Sequence, residues 1–211
     1  MTPLRSRAAL RRWSRWLGAG ALGVAGAAAA LAAGTDAQRQ KAAVCESCHG
    51  IEGRSTVPDT PSLAGQPKQF ITTQLVMFRE GNRKSAIMGP IAAPLSNAEI
   101  SELGSYFSVQ PAEPAGKPLA ADAAAATRGL ADKLGCVTCH GAELKGQQHI
   151  PRLAGQQADY LRTQLLGFKA ATRFDMDGNM TAAAQALTPA DIEMLAGAPR
   201  ALLCERLSAA S

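Results

Sequence analysis

Two copies of a Cys-x-x-Cys-His-Gly motif are the parts of this 211-residue chain best suited to chemistry. The motif residues are Cys45, Cys48 and His49 in the first copy and Cys136, Cys139 and His140 in the second. In each copy, two thiols can form thioether bonds to the vinyl groups of one haem, and the adjacent histidine can bind the iron. The spacing therefore predicts two covalently bound haem c groups.

Other uses of these residues fit the pattern less well. The motifs contain four of the five cysteines and two of the three histidines, which argues against chance. A zinc site would need its remaining ligands clustered nearby, and a thioredoxin-like dithiol needs no following histidine. We therefore interpret the chain as a dihaem protein.

A histidine-bound haem iron has a second axial face, which we expect methionine to occupy. Met88 lies seven residues before Leu95, and Met180 lies seven residues before Leu187, in corresponding segments of the sequence. A thioether ligand gives a closed, low-spin iron with a raised reduction potential. Met176 remains an alternative to Met180, because its loop has two extra residues. Met77 and Met194 fall within predicted helices and are expected to have core or surface roles.

These residues lie in a tandem repeat, since Cys136 and His140 follow Cys45 and His49 by 91 positions. The segment Pro-x-Leu-Ala-Gly-Gln recurs at residues 61–66 and 151–156. The predicted organisation comprises a leader, a first haem domain, a Pro- and Gly-rich linker and a second haem domain whose tail is atypical from about residue 197. Their ranges are 1–33, 34–110, 111–118 and 119–211.

The sequence predicts an all-α fold with three main helices in each domain. The first helix should carry the haem motif near its C-terminal end, with Gly50 or Gly141 as the stop signal. The second is predicted over residues 67–80 and 157–170. The third should begin at Ser96 or Thr188, each followed by an acidic residue at capping-box spacing.

Several residues are expected to complete the haem pockets. A backbone carbonyl at Pro61 or Pro151 could accept the proximal imidazole N–H, although a rigid turn alone would also explain the prolines. Leu63 and Leu153 should pack on the haems. Five basic residues could neutralise haem propionates or could simply be solvated; they are Arg79, Arg83, Lys84, Lys169 and Arg173. His149 is expected to be a surface residue.

Residues 1–33 resemble a bacterial secretory signal, with five arginines followed by a short run rich in Ala and Gly. A retained membrane anchor is the alternative. Of the 22 Lys and Arg residues in the chain, 17 lie outside this segment, and they equal the 17 Asp and Glu residues in number. Because aromatic residues are also few, a nucleic-acid partner is not expected. The predicted location is the periplasm, with peripheral membrane association possible.

The two haem motifs, the Pro-x-Leu-Ala-Gly-Gln segments and the Met-x6-Leu-Ser/Thr pattern together resemble the dihaem class I cytochromes c, most closely the cytochrome c4 family. This resemblance covers about residues 37–195. It implies two packed cytochrome c folds and the axial pairs His49 with Met88 and His140 with Met180. It also implies an electron carrier, not an enzyme, that works between a quinol-oxidising complex and a terminal oxidase or reductase.

Other classes of haem protein share some of these sequence features. A haem c subunit of a periplasmic oxidoreductase, such as the partner of a flavoprotein, would have much the same sequence. A dihaem peroxidase or a gas sensor would need an iron with an open sixth position, which two well-placed methionines oppose.

The second repeat departs from the first at its C-terminal end. Ala198-Pro199 align with Tyr106-Phe107, and proline would end the helix early. The tail also carries Cys204, a candidate for an intermolecular disulfide. We therefore expect the second domain to be less stable than the first.

Overall fold

The computed structural model describes residues 35–112 and 120–197; the leader, most of the linker and the C-terminal tail with Cys204 lie outside these ranges. Regular structure in the described ranges is helical, apart from an isolated bridge between Gln147 and Ile150. The all-α prediction is therefore confirmed. No described helix combines the length and apolar character needed to cross a membrane.

The first domain contains four α-helices and a short 3₁₀ turn, Ile51–Gly53. The helices are α1 (Asp36–His49), α2 (Lys68–Arg79), α3 (Met88–Ala92) and α4 (Asn97–Ser108). Helix α1 ends at the haem motif, as predicted. Gly50 follows it with φ of 79°, and a Cβ there would lie 2.0 Å from the carbonyl oxygen of Arg54. Glycine is therefore required where the chain turns away from the motif.

The second domain repeats the order of the α-helices, except that its first helix is divided in two and no 3₁₀ turn follows it in the described residues. Its helices are α5 (Ala121–Lys133), α6 (Cys136–His140), α7 (Ala158–Lys169), α8 (Asn179–Gln185) and α9 (Pro189–Gly197). The prediction of one continuous helix ending at the second haem motif is wrong. Gly135 adopts a left-handed conformation with φ of 72°, which separates α5 from the single helical turn α6.

The start of the third main helix is capped as the sequence predicts. Ser96 accepts the backbone N–H of Glu99 at 3.3 Å, and the Glu99 carboxylate accepts the Ser96 backbone N–H at 3.0 Å. Thr188 and Asp191 make the same reciprocal pair at 3.1 and 2.8 Å. These bonds satisfy N–H groups that a helix terminus otherwise leaves without partners.

Each domain has its own apolar core beside its haem motif. In the first, Tyr106 and Phe107 of α4 meet edge to face, with ring centroids 5.0 Å apart, and pack with Ala42 of α1. In the second, Phe168 of α7 and Ile192 of α9 belong to a cluster of smaller side chains. The first core therefore contains more aromatic surface at the helix that carries the haem motif.

The domains contact one another through buried glutamine side chains. The Gln66 side chain binds the backbone of Arg152, and the Gln156 side chain binds the backbone of Ser62. Both amides are almost fully buried, at 3 % and 4 % exposure. Since Gln66 and Gln156 occupy equivalent repeat positions, the contact is nearly two-fold symmetric.

Candidate haem sites

The two motifs present their cysteines in the same way. Cys45 and Cys136 are partly buried, whereas Cys48 and Cys139 are exposed. Burial raises the pKa of the Cys45 and Cys136 thiols above the usual value. Each site thus has one inner and one outer thiol next to a buried histidine, an arrangement that fits two thioether attachments to one haem edge.

Both histidines are buried and oriented by a proline carbonyl. Nδ1 of His49 lies 2.7 Å from the carbonyl oxygen of Pro61, and Nδ1 of His140 lies 2.8 Å from that of Pro151. A carbonyl can only accept, so Nδ1 carries the proton and Nε2 is the nitrogen left for iron. The predicted role of the proline carbonyls therefore agrees with this geometry.

Burial also keeps these imidazoles neutral. The pKa of His49 and of His140 is lowered, mainly by desolvation, with the proline carbonyl acting weakly in the opposite direction. Neutral imidazole is the form that binds a metal. The local environment thus favours the ligand-competent state at neutral pH.

A single continuous cavity of about 1130 Å³ connects both motifs. It exceeds the roughly 300–1,000 Å³ of a typical small-molecule pocket. Its walls include both motif histidines and apolar side chains of both domains, among them Leu63, Phe70, Phe78, Leu153, Leu165 and Phe168. Apolar walls, paired thiols and buried imidazoles fit two haem groups held close together.

The candidate sixth ligands also line this cavity. Met88 begins α3, and its N–H donates to Oγ of Ser85 at 3.0 Å. Met180 lies in the first turn of α8 and packs against the second core, while its N–H donates to Asp175 at 2.8 Å. Met176 lines the cavity too, but its side chain is 72 % exposed. Met88 and Met180 remain the predicted ligands.

Two other methionines lie within helices and have core or surface positions, as expected. Met77 lies within α2 and is buried, whereas Met194 lies within α9 and is exposed. Neither belongs to the cavity wall.

Two arginines of the predicted basic set meet where the domains join. Arg83 donates to Gln74 at 2.6 Å, to Gln164 at 2.9 Å and to the Tyr160 hydroxyl at 3.1 Å. Arg173 also donates to Gln164, while its buried Nε has no hydrogen-bond partner among the described residues. A free buried N–H in the cavity wall fits an anionic group such as a haem propionate.

This arginine pair is held by aromatic rings and by burial. The guanidinium groups of Arg83 and Arg173 lie 4.5 Å from the ring centroids of Phe78 and Phe168, respectively. Burial lowers the pKa of Arg173 to about 10, so the group stays charged at neutral pH. Burial by itself raises the pKa of Tyr160, but the positive charges of Arg83 and Arg173 lower it by more, so the pKa lies below its usual value.

The other predicted basic residues and His149 differ in position. Lys84 lines the cavity, whereas Arg79 and Lys169 bind groups outside it, at Leu95 and Gln185. His149 is partly exposed, with Nε2 3.4 Å from an Asp177 carboxylate oxygen. In the described ranges, no three His, Cys, Asp or Glu side chains form a cluster that could hold a metal ion.

Sequence reasoning missed two groups in this site. In the sequence, Gln66 and Gln156 stand out only as matching repeat positions, and Tyr160, which aligns with Phe70, has no such signal. A pattern within one repeat does not reveal contacts across a domain interface.

Comparison with known proteins agrees with this geometry. Residues 124–196 match the cytochrome c family model. The chain is 36 % identical over 162 residues to cytochrome c4 of Thiocapsa roseopersicina, covering 71 % of this chain and 82 % of that one. It is 36 % identical over 167 residues to the thiosulfate dehydrogenase electron acceptor of Thiomonas intermedia, covering 74 % and 77 %.

The fold is similar to a solved structure as well. The crystal structure of reduced cytochrome c4 from Pseudomonas stutzeri matches with a TM-score of 0.71 and 30 % identity, covering 81 % of this chain and all of that one. The fold and the motifs together define a c-type cytochrome with two covalently bound haem c groups. Proteins of this class transfer electrons. Within that class, the chain belongs to the cytochrome c4 family.

Proposed function

We propose that this chain carries single electrons in the periplasm, from a quinol-oxidising complex to a terminal oxidase or reductase. The proposed axial pairs are His49 with Met88 and His140 with Met180. The observation that carries this proposal is that all four side chains line one cavity shared by the two domains. A bound haem c supplies a one-electron change at its iron, and two bound in this cavity would lie close enough to exchange electrons.

The residues of the chain then have distinct tasks. The motif cysteines fix each haem, and the proline carbonyls orient the proximal histidines. The methionines would hold the sixth position of each bound haem and so leave no site for oxygen or peroxide. The apolar walls exclude water and help to keep the potential high.

Exposed apolar side chains at the cavity rim support docking to redox partners. Val44 and Ile87 of the first domain are 70 % and 69 % exposed, and Phe174 of the second is 54 % exposed. All three belong to the cavity wall. A small apolar contact of this kind suits a transient electron-transfer complex. Because the chain without residues 1–33 carries balanced charge, electrostatic steering should be weak.

A second candidate function is suggested by two relatives that are named thiosulfate dehydrogenase electron acceptors. The Thiomonas intermedia protein is one of them. The donor of the present chain would then be a periplasmic oxidoreductase, and the chain would act as its haem c partner. Rapid reduction by thiosulfate with the dehydrogenase, but not by a quinol-oxidising complex, would favour this alternative over the main proposal.

The ligand set is tested by the ferric absorption spectrum of the haem-loaded protein. The methionine-to-iron charge-transfer band at the red end reports thioether ligation. We expect Met88→Ala and Met180→Ala each to remove about half of this band, while the matched control Met176→Ala leaves it unchanged. If Met180→Ala has no effect and wild-type protein binds cyanide at one haem, that site is open and a peroxidase or sensor role takes precedence.

A further inference from the structure

The hydrogen bonds at the domain interface continue directly into the proximal side of each haem site. The Pro61 carbonyl that accepts from His49 belongs to the same peptide group as the Ser62 N–H. That N–H donates to Oε1 of Gln156 in the other domain, at 2.7 Å. A connected chain therefore runs from the imidazole of the first domain, through one peptide unit, to an amide of the second.

The second site has the same arrangement in the opposite direction. The Pro151 carbonyl accepts from His140, and the N–H of the same peptide, on Arg152, donates to Oε1 of Gln66 at 2.9 Å. Each histidine is thus linked to a glutamine that its own domain does not supply.

Each glutamine amide binds both the backbone N–H and the backbone carbonyl of the residue that it contacts. Gln156 Nε2 donates to the Ser62 carbonyl at 2.9 Å, and Gln66 Nε2 donates to the Arg152 carbonyl at 2.8 Å. These paired bonds fix the amide orientation, because reversing oxygen and nitrogen would place two donors and two acceptors together. The acceptor that faces the peptide N–H is therefore well determined.

Hydrogen bonds in series polarise one another, more strongly where water is excluded. When a glutamine oxygen accepts the peptide N–H, the carbonyl of that peptide becomes more negative and accepts the imidazole proton more strongly. A stronger bond at Nδ1 makes the histidine a better electron donor to iron. Greater donation stabilises the ferric state and lowers the reduction potential.

We propose that Gln66 and Gln156 are crossed positioning residues, each setting the ligand strength of the proximal histidine in the other domain. Gln156 acts on His49 through the Pro61–Ser62 peptide, and Gln66 acts on His140 through the Pro151–Arg152 peptide. This inference rests on the proposed histidine ligation. It predicts that a substitution in one domain changes the potential of the haem in the other.

Gln157 offers a matched control at the same interface. It is buried next to Gln156, and its side-chain amide donates across the interface to the Ser55 carbonyl. Ser55 is not part of either proline peptide. Gln157→Leu removes this buried interdomain hydrogen bond but keeps the Gln157 backbone N–H, which donates to Gln156 Oε1 at 3.0 Å. It also leaves in place the bond from the Ser55 N–H to Ser62 Oγ at 3.2 Å, so both proline peptides keep their glutamine partners.

The test uses full-length, haem-loaded Gln156→Leu, Gln66→Leu and Gln157→Leu variants, with Gln156→Asn and Gln66→Asn as milder substitutions should the leucine variants fold poorly. The potential of each haem is followed by NMR of its methyl resonances, which the Met88→Ala variant assigns to one site. In reduced protein with labelled histidine, the Nδ1–H resonances of His49 and His140 report the strength of their hydrogen bonds.

We expect Gln156→Leu to raise the potential of the first haem and move the His49 Nδ1–H resonance upfield, with smaller changes at the second haem. Gln66→Leu should do the reverse, and Gln157→Leu should do neither. Changes confined to the haem of the mutated domain, equal changes at both haems, or no change would overturn the crossed assignment. Wild-type spectra without haem-shifted histidine signals would instead refute the ligand set, and the inference with it.

Discussion

Tyr106 in α4 donates its hydroxyl to Oε1 of Glu46, 2.9 Å away. Glu46 is the residue between the cysteines that directly follows Cys45, and the same carboxylate oxygen accepts the backbone N–H of Glu52 at 3.1 Å. The last helix of the first domain is therefore hydrogen-bonded to the haem-attachment motif itself.

Replacing Tyr106 with Phe should destabilise the first domain without opening a cavity. The ring is retained, but a bond to a charged acceptor is lost, at a cost of about 1.5–3 kcal/mol. Urea denaturation of the haem-loaded protein measures this loss. Glu46→Gln keeps a neutral acceptor and should cost less; equal stability of Tyr106→Phe and wild type would show that the bond contributes nothing.

The same tyrosine should make stability depend on alkaline pH. Burial, and then the bond to Glu46, raise the pKa of Tyr106 from 10.0 to about 12. The unfolded chain therefore releases this proton at lower pH than the folded protein does. The stabilisation is complete below pH 10 and is lost as pH rises to about 12. Denaturation midpoints should fall more steeply in wild type than in Tyr106→Phe over this range, and parallel curves would contradict the assignment.

The buried guanidinium of Arg173 should raise the reduction potentials. A positive charge beside the haem cavity opposes oxidation of the iron, so Arg173→Gln should lower the potential of at least the second haem. Spectroelectrochemical titration measures the shift. The control Arg162→Gln removes a partly exposed charge that is already paired with Asp159 and Glu193, and its effect should be small. Equal shifts of the reduction potential in the two variants would show that Arg173 has no specific effect on the haems.

The second domain should be the less stable of the two. Its described core has no counterpart of the Tyr106–Phe107 pair, and the aligned residues lie in the tail. Hydrogen exchange of the haem-loaded full chain should show faster exchange in α7 and α9 than in α2 and α4. Thr188→Ala removes a helix cap and should increase the difference in stability between the two domains by about 1 kcal/mol. The matched Ser96→Ala variant should decrease that difference. Uniform protection would refute the difference.

Local signals in the sequence were sufficient for most helix positions. The Ser96–Glu99 and Thr188–Asp191 pairs act within one helical turn, so spacing alone predicts them. The proline carbonyls were also predictable, because each proline follows its motif at nearly the same distance in both repeats.

Features that depend on three-dimensional context were missed. The left-handed turn at Gly135 ends α5, and the first repeat, with Val44 at the equivalent position, has no such break. Glycine is a local stop signal here, but the sequence alone does not show whether a glycine within a helical segment ends the helix. Helices α3 and α8 are too short to show a clear apolar period. The contacts of Gln66, Gln156 and Tyr160 arise only when the domains dock, and no pattern within a single repeat encodes them.

The crossed hydrogen bonds, from Gln66 to the Arg152 backbone and from Gln156 to the Ser62 backbone, have the form of an isologous interface. In such an interface, the same patch on two units contacts itself across a two-fold axis. The tandem chain thus resembles a symmetric dimer whose subunits have been joined covalently. Joining them makes association intramolecular, so each haem site keeps its neighbour's glutamine however dilute the protein becomes. The electron carrier can therefore diffuse at low abundance with both sites complete.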